Sequence, residues 1–257
     1  MPGPAVLQLV DSYTAGKSRV LQLLAELEAS GRYQRSVYLT PDSLAHVGPR
    51  RSTTPADPWE ELIAGVIDQA KEPESGLAIY LGDGQALAIV PPFPIAEEKR
   101  VDGVDTSPLV AQLGSELLIG VVLLRLGRYA VGVLRGNSLV ASKTATRYVK
   151  RPHRAGGTSQ RRFERSRERL VLELFDKTCQ VVRDVFAPYD SAMAHVLLGG
   201  ERHTLRRLVQ RCRYLSDVQD KTLGRLLQVA RPGQAALDRV AYEVWSSRVL
   251  VFTRAGE

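Results

Sequence analysis

Gly156-Gly157-Thr158-Ser159-Gln160 sets two hydroxyls and an amide behind a pair of glycines. Paired glycines tolerate positive φ and let a backbone approach a ligand closely. No Asp, Cys or metal ligand stands beside the three polar residues, so the groups on offer are neutral hydrogen-bonding ones. Such groups position a water or stabilise a developing oxyanion; they do not act as strong bases or nucleophiles. Candidate phosphate contacts flank them on both sides: the cations Lys150, Arg151 and Arg154, with His153, before, and Arg161, Arg162, Arg165, Arg167 and Arg169 after. The later arginines cover most of a helix circumference. Glu164 and Glu168, spaced i, i+4, are expected to pair with arginines of the same helix. Arginines that contact phosphates supply sequence-independent, salt-sensitive affinity. An isolated Gly-Gly would read as an ordinary exposed turn; between these cations it fits delivery of a small polar group into a site walled by RNA.

The distribution of charge sharpens that reading. The net charge of the 257 residues is +7. Arg147 to Arg169 hold nine Lys/Arg and two Glu, or 9 − 2 = +7, leaving 26 basic and 26 acidic residues elsewhere. A balanced body with one cationic segment is the footprint of a polyanion partner.

The elements that must hold this segment follow from hydropathy and turn residues. Three apolar runs, Leu117 to Leu124, Tyr129 to Leu134 and Leu139 to Val149, are separated by Gly127-Arg128 and Arg135-Gly136-Asn137, which predicts an antiparallel meander. A loop, Lys150 to Thr158, then leads into a helix from Ser159 to about Phe186. Ala194 to Leu198 reads as a buried strand, and the order β-β-β-α-β-α-β-α predicts a mixed sheet with packed helices. The last helix of that series is expected over Gln234 to Arg248.

Upstream, residues 4 to 29 have apolar positions that suit a helix ending at Gly31. Ser36 to Thr40 reads as a strand, Trp59 to Lys71 as a helix, and Gly82-Asp83-Gly84 as the turn of a hairpin. The fold class is therefore α/β (α+β), with a smaller α/β domain over 1–108 and the domain carrying the cationic loop over 109–257. Cys179 and Cys212 fall in helical patterns and are expected to be reduced packing residues in a reducing compartment. The first twenty residues lack a compact apolar h-region. The longest apolar stretch, Leu117 to Leu134, is broken by Arg125 and Arg128 and falls short of the ~20 residues a membrane span needs. A cytoplasmic protein with no membrane partner is expected.

The stretch KRPHRAGGTSQRRFERSRER resembles the central domain of eukaryotic and archaeal class-one peptide-chain release factors. There, a His precedes a Gly-Gly-Gln loop that is followed by Arg-Phe and a basic helix. His153, Gly156, Gly157, Arg162, Phe163, Arg165 and Arg167 match without a gap. The meander GRYAVGVLRGNSLVASKTATRYVKRPH and the later AHVLLGG extend the likeness over about residues 117 to 230. One departure matters. Thr158 occupies the position of the family's glutamine, and Gln160 stands two residues later. Gly157-Thr158-Ser159-Gln160 is similar to the Vms-type branch, the release-factor-like peptidyl-tRNA hydrolases of ribosome quality control. Residues 1–108 resemble the release-factor N-terminal domain without its stop-codon-reading hairpin, which implies a codon-independent function.

That resemblance implies hydrolysis of the ester at the tRNA 3′ end, on the large ribosomal subunit, beside the rRNA of the peptidyl-transferase centre. Gln160 would be the key residue, Gly156, Gly157, Thr158 and Ser159 would shape its loop, and His153 would act as a hinge or phosphate contact. No cofactor and no metal are implied, and the protein is expected to be a monomer. The free Lys150–Gln160 loop is expected to be disordered, given its glycines and like charges. Two readings compete: a non-catalytic ribosome- or tRNA-binding rescue factor, and an endonuclease cutting near the tRNA 3′ end.

Other signals are set aside on chemistry. DSYTAGKS ends like a phosphate-binding loop, but Asp11 stands where its first glycine is needed. His46, His153, His195 and His203 lack zinc-ligand spacing. Trp59 and Trp245 lie in apolar patterns and are expected in the core.

Overall fold

The computed structural model describes residues 7–46, 58–71, 73–147 and 158–254. The chain divides into two compact units, Met1–Ser115 with Trp245–Glu257, and Glu116–Val244.

The first unit is built on a six-stranded antiparallel sheet. Its strands are β1 (Leu7–Ala15), β2 (Tyr33–Leu39), β3 (Leu77–Gly82), β4 (Gln85–Val90), β5 (Lys99–Asp102) and the last strand of the chain, β11 (Ser247–Arg254). They lie in the order β1-β11-β4-β3-β2-β5. The expected helix over 4–29 is thus two elements. Leu7–Ala15 is an edge strand paired antiparallel with β11, and only Lys17–Ser30 (α1) is helical. The apolar spacing of Val20, Leu24 and Leu27 belongs to α1, whose buried face they form, and Gly31 closes it at φ 62°. Gly84, at φ 69°, makes the expected tight turn between β3 and β4. Helix α3 (Pro58–Ala70) puts Ile63, Val66 and Ala70 into a core with Val37, Ile79, Leu81 and Phe252. The helices α2 (Pro41–His46) and α4 (Ser107–Gly114) complete this unit. Trp245 is fully buried here, edge-on to Phe93 at 4.9 Å. The Lys17 ammonium lies 4.7 Å from the centre of the Trp245 ring, so the lysine of the phosphate-loop-like motif is engaged by an aromatic face.

The second unit carries the predicted meander, as β6 (Leu118–Arg125), β7 (Arg128–Arg135) and β8 (Ser138–Thr146). Gly127 and Gly136 supply the positive φ of its two-residue turns, 95° and 55°. Strand β9 (Met193–Gly200) pairs parallel with β6, and β10 (Thr222–Leu227) parallel with β9, giving the mixed order β10-β9-β6-β7-β8. Among the described residues it is accompanied by α5 (Thr158–Phe186), α6 (Arg202–Arg211), α7 (Arg213–Asp217) and α8 (Gln234–Glu243). The core joins Val122, Val131 and Val196 of the sheet to Leu174, Phe175, Val182 and Phe186 of α5 and to Leu205 and Leu208 of α6.

Two expectations are corrected here. The chain's end does not continue a helix of the second domain: α8 stops at Glu243, and Ser247–Arg254 enters the first sheet between β1 and β4. The β-branched and aromatic run Val249-Leu250-Val251-Phe252 favours that strand. Cys179 and Cys212 are not separate thiols. α5 and α6 pack side by side with the two Cα atoms 5.4 Å apart, within bridging range, and a disulfide joins them. Among the described residues no helix is long and apolar enough to cross a membrane.

Candidate functional site

Edge strand β8 delivers the chain to the segment. Its polar run SLVASKTAT is mostly exposed, and the Arg147 amide donates to the Gly127 carbonyl at 2.8 Å where the strand ends. Lys150, Arg151, His153, Arg154, Gly156 and Gly157 lie outside the described residues. The expectation of a disordered loop falls on them too, except for its last three residues.

Those three are helical. α5 begins at Thr158, one residue before the expected Ser159, so Thr158, Ser159 and Gln160 form its opening turn. Gln160 is half-buried, and its Nε2 donates to Glu164 Oε1 at 3.0 Å, one turn further on. That bond engages the amide's donor end and leaves its carbonyl pointing away from Glu164. At about 1.5 Å per residue, the 29-residue α5 is roughly 43 Å long. Its register is fixed far from Gln160, where Val171, Leu174, Phe175, Val181, Val182 and Phe186 are buried. Residues 160 to 170 include no buried position.

The electrostatics of this projecting part differ from expectation. Glu164 and Glu168 do not pair with arginines of their own helix. Glu164 accepts from Gln160, and Glu168 accepts from Arg207 of α6. Arg161, Arg162 and Arg165 are exposed and have no ion pair among the described residues. Arg169 lies 3.7 Å from Glu173, which Arg147 also meets at 3.2 Å. A shallow depression of about 560 Å³ runs beside Glu164, Arg165, Arg167, Glu168, Arg169 and Leu172. The acids are thus spent on scaffolding, and the start of α5 keeps its positive charge.

The remaining candidates fall into place around this helix. Asp176 accepts both Nε (2.6 Å) and Nη2 (2.8 Å) of Arg211, and that guanidinium holds its carboxyl below the ordinary value. Burial pushes the pKa of His195, on β9, below its usual value, which favours the neutral ring. Among the described residues no group of three or more His, Cys, Asp or Glu could hold a metal ion. The cations of α6 were missed by counting charge over the whole chain. Residues 201 to 213 contain five Arg and one Glu, a local excess that a window of a dozen residues would have shown.

Known proteins are similar to this chain in sequence. The peptide chain release factor subunit 1 of Archaeoglobus fulgidus is 29% identical over 164 residues, 60% of this chain and 40% of that protein. That of Thermococcus sibiricus is 30% identical over 151 residues, 54% of this chain and 36% of that protein. The chain therefore spans well under half the length of these curated relatives. Among solved structures, the archaeal translation termination factor aRF1 aligns over 90% of this chain and 73% of its own, at 16% identity and a TM-score of 0.40. The Vms1 mitochondrial localization core aligns over 88% and 92%, at 13% identity and a TM-score of 0.40. A family model described as the Actinobacteria/chloroflexi VLRF1 release factor matches residues 118–250, from the first strand of the meander into β11. That match covers just over half of the chain, and the chain belongs to the VLRF1 release-factor family.

Proposed function

We propose that this protein is a codon-independent peptidyl-tRNA hydrolase that frees nascent chains from stalled large ribosomal subunits. The observation that carries the reading is the placement of Gln160. It stands at the head of a helix anchored at its other end, following Gly156-Gly157 in sequence and beside Arg161, Arg162 and Arg165, which have no acidic partner among the described residues. A long helix rooted in a core carries a small group into a deep site without losing its aim. Membership of a release-factor family and the Gly-Thr-x-Gln spacing support the same assignment.

In the proposed reaction the Gln160 amide orients a water toward the ester carbonyl at the tRNA 3′ end, or its backbone N–H stabilises the oxyanion that forms. The water's oxygen bonds to the carbonyl carbon, the bond to the ribose oxygen breaks, and peptide and intact tRNA separate. An amide does not accept a proton at neutral pH. The proton passes to the ribose hydroxyls or to rRNA. Gly156 and Gly157 give the backbone room to enter, and Lys150, Arg151, His153, Arg154, Arg161, Arg162, Arg165, Arg167 and Arg169 hold phosphates around it. Glu164 takes the donor end of the amide and so presents its carbonyl to the water.

One observation favours a second reading. Thr158 stands where the class-one pattern has its glutamine, and Gln160 lies inside the helix instead of at a loop tip. A rescue factor that binds the ribosome without hydrolysis would tolerate both. The deciding assay is peptide release from isolated large subunits carrying peptidyl-tRNA. Wild type is expected to release peptide and leave the tRNA full length, with Gln160→Ala slower by about a hundredfold or more. Binding without release by either protein would hand the function to the second reading, and shortened tRNA would point to a nuclease.

A further inference from the structure

Helix α6 carries a second cationic surface. Residues 201 to 213 hold five Arg and one Glu, or 5 − 1 = +4. Three of the five arginines are tied: Arg207 to Glu168, Arg211 to Asp176 in a two-pronged pair, and Arg213 to Asp217 at 3.8 Å. The segment's one acid, Glu201, accepts a hydrogen bond from the Thr204 hydroxyl at 2.7 Å. Arg202 and Arg206 remain, with His203 between them. All three are exposed and have no acidic partner among the described residues, while Thr204, Leu205 and Leu208 are turned inward.

The fold gains nothing from this placement. Arg202 and Arg206 are one turn apart, where like charges repel. Arg202 also sits in the first turn of α6, which holds no acid, where a positive charge opposes the helix dipole. Charges arranged at a cost to the helix are explained by a partner that neutralises them.

The position of α6 says which partner. Three links join it to α5: Glu168 to Arg207, Asp176 to Arg211 and Cys179 to Cys212. Residue numbers rise together along both helices, so α6 begins toward the end of α5 that bears Arg161, Arg162 and Arg165. We propose that Arg202 and Arg206, with His203, bind the phosphodiester backbone of structured RNA in the large ribosomal subunit, extending the α5 surface. The proposal rests on the ribosomal reading above. Guanidinium forks match phosphate oxygens in pairs and contact them without reading bases. The surface supplies grip separately from the chemistry at Gln160.

The test uses the full chain and protein-free large-subunit rRNA, with binding measured over a series of salt concentrations. Arg202→Gln/Arg206→Gln is expected to bind roughly tenfold more weakly at physiological salt, and its log–log salt slope to fall by about 2. Arg202→Lys/Arg206→Lys should keep the wild-type slope, because the charge is retained. Arg213→Gln, whose partner is on its own helix, should match wild type in both. Unchanged affinity and slope in the Gln double variant would overturn the proposal. So would wild-type binding to naked rRNA with weakened binding to whole subunits, which would assign the surface to an acidic protein. Peptide release by wild type is read in parallel. A reduced slope with no release by wild type sinks the hydrolase reading and leaves the RNA surface standing.

Discussion

The two halves of α5 obey different rules. From Val171 to Phe186 its apolar residues are inward and its polar ones outward, apart from Thr178, which is buried with its hydroxyl donating to the Leu174 carbonyl. From Gln160 to Leu170 no residue is buried, and arginines point around much of the circumference. The first region is shaped by packing; the second presents its charge to solvent. One continuous helix lets the packed half set the direction of the charged half. The direction of the helix at Gln160 is therefore set from Val171 onward.

That contrast can be broken from the packed side first. Phe175 is 1% exposed, and the Arg207 guanidinium lies 5.5 Å from its ring centre. Phe175→Ala should cost about 3–5 kcal/mol in denaturant unfolding. A loss below about 1 kcal/mol would mean that the packed half is not the anchor. Reducing the disulfide is the next largest effect. The bridge closes a separation of 33 residues, and its loss should lower stability by about 3 kcal/mol. Unfolding curves with and without reductant, and for Cys179→Ser, should agree on that loss.

The charged half should behave in the opposite way. Arg161→Glu/Arg162→Glu/Arg165→Glu should leave stability within about 0.5 kcal/mol, since all three residues are exposed. The same variant should weaken ribosome binding more than Gln160→Ala does. Equal binding by the two would remove these arginines from the interface. The smallest effect is expected at Asp176, whose pKa is lowered mainly by the hydrogen bonds from Arg211. A carboxyl held below its unfolded value stabilises the fold above that value, 3.8, and loses this contribution as pH falls through the lower folded one. Both partners are well exposed, so solvent screening keeps the effect small. A melting-temperature series should show a slight extra loss at acid pH in wild type that Asp176→Asn lacks.

Local signals in the sequence located most elements and little of their pairing. The meander was legible because Gly127 and Gly136 mark its turns and β-branched residues fill its strands. The Gly-Gly-Thr-Ser-Gln segment and its arginines stood out by composition alone. β1 did not, because LQLVDSYTA runs into the apolar spacing of α1, and its partner β11 comes more than 230 residues later. The disulfide was hidden for a related reason: only the packing of α6 on α5 brings Cys179 to Cys212. Gln160 was foreseen in the first turn of the helix that follows the glycines, but its hydrogen bond to Glu164 was not, since that contact exists only once the turn forms.

The strand order of the first sheet bears on how the chain reaches its native state. β11 lies between β1 and β4 and, among the described residues, is the one strand paired with β1. During synthesis, β1 leaves the ribosome early and has no sheet partner until residues 247–254 follow. The second unit, Glu116–Val244, is a continuous stretch and is complete in sequence before that strand appears. Vectorial folding therefore runs out of order: Glu116–Val244 can close before the unit whose first strand precedes it. Pairing over such a separation is slow, and an unpaired β1 is a sticky edge in the interval.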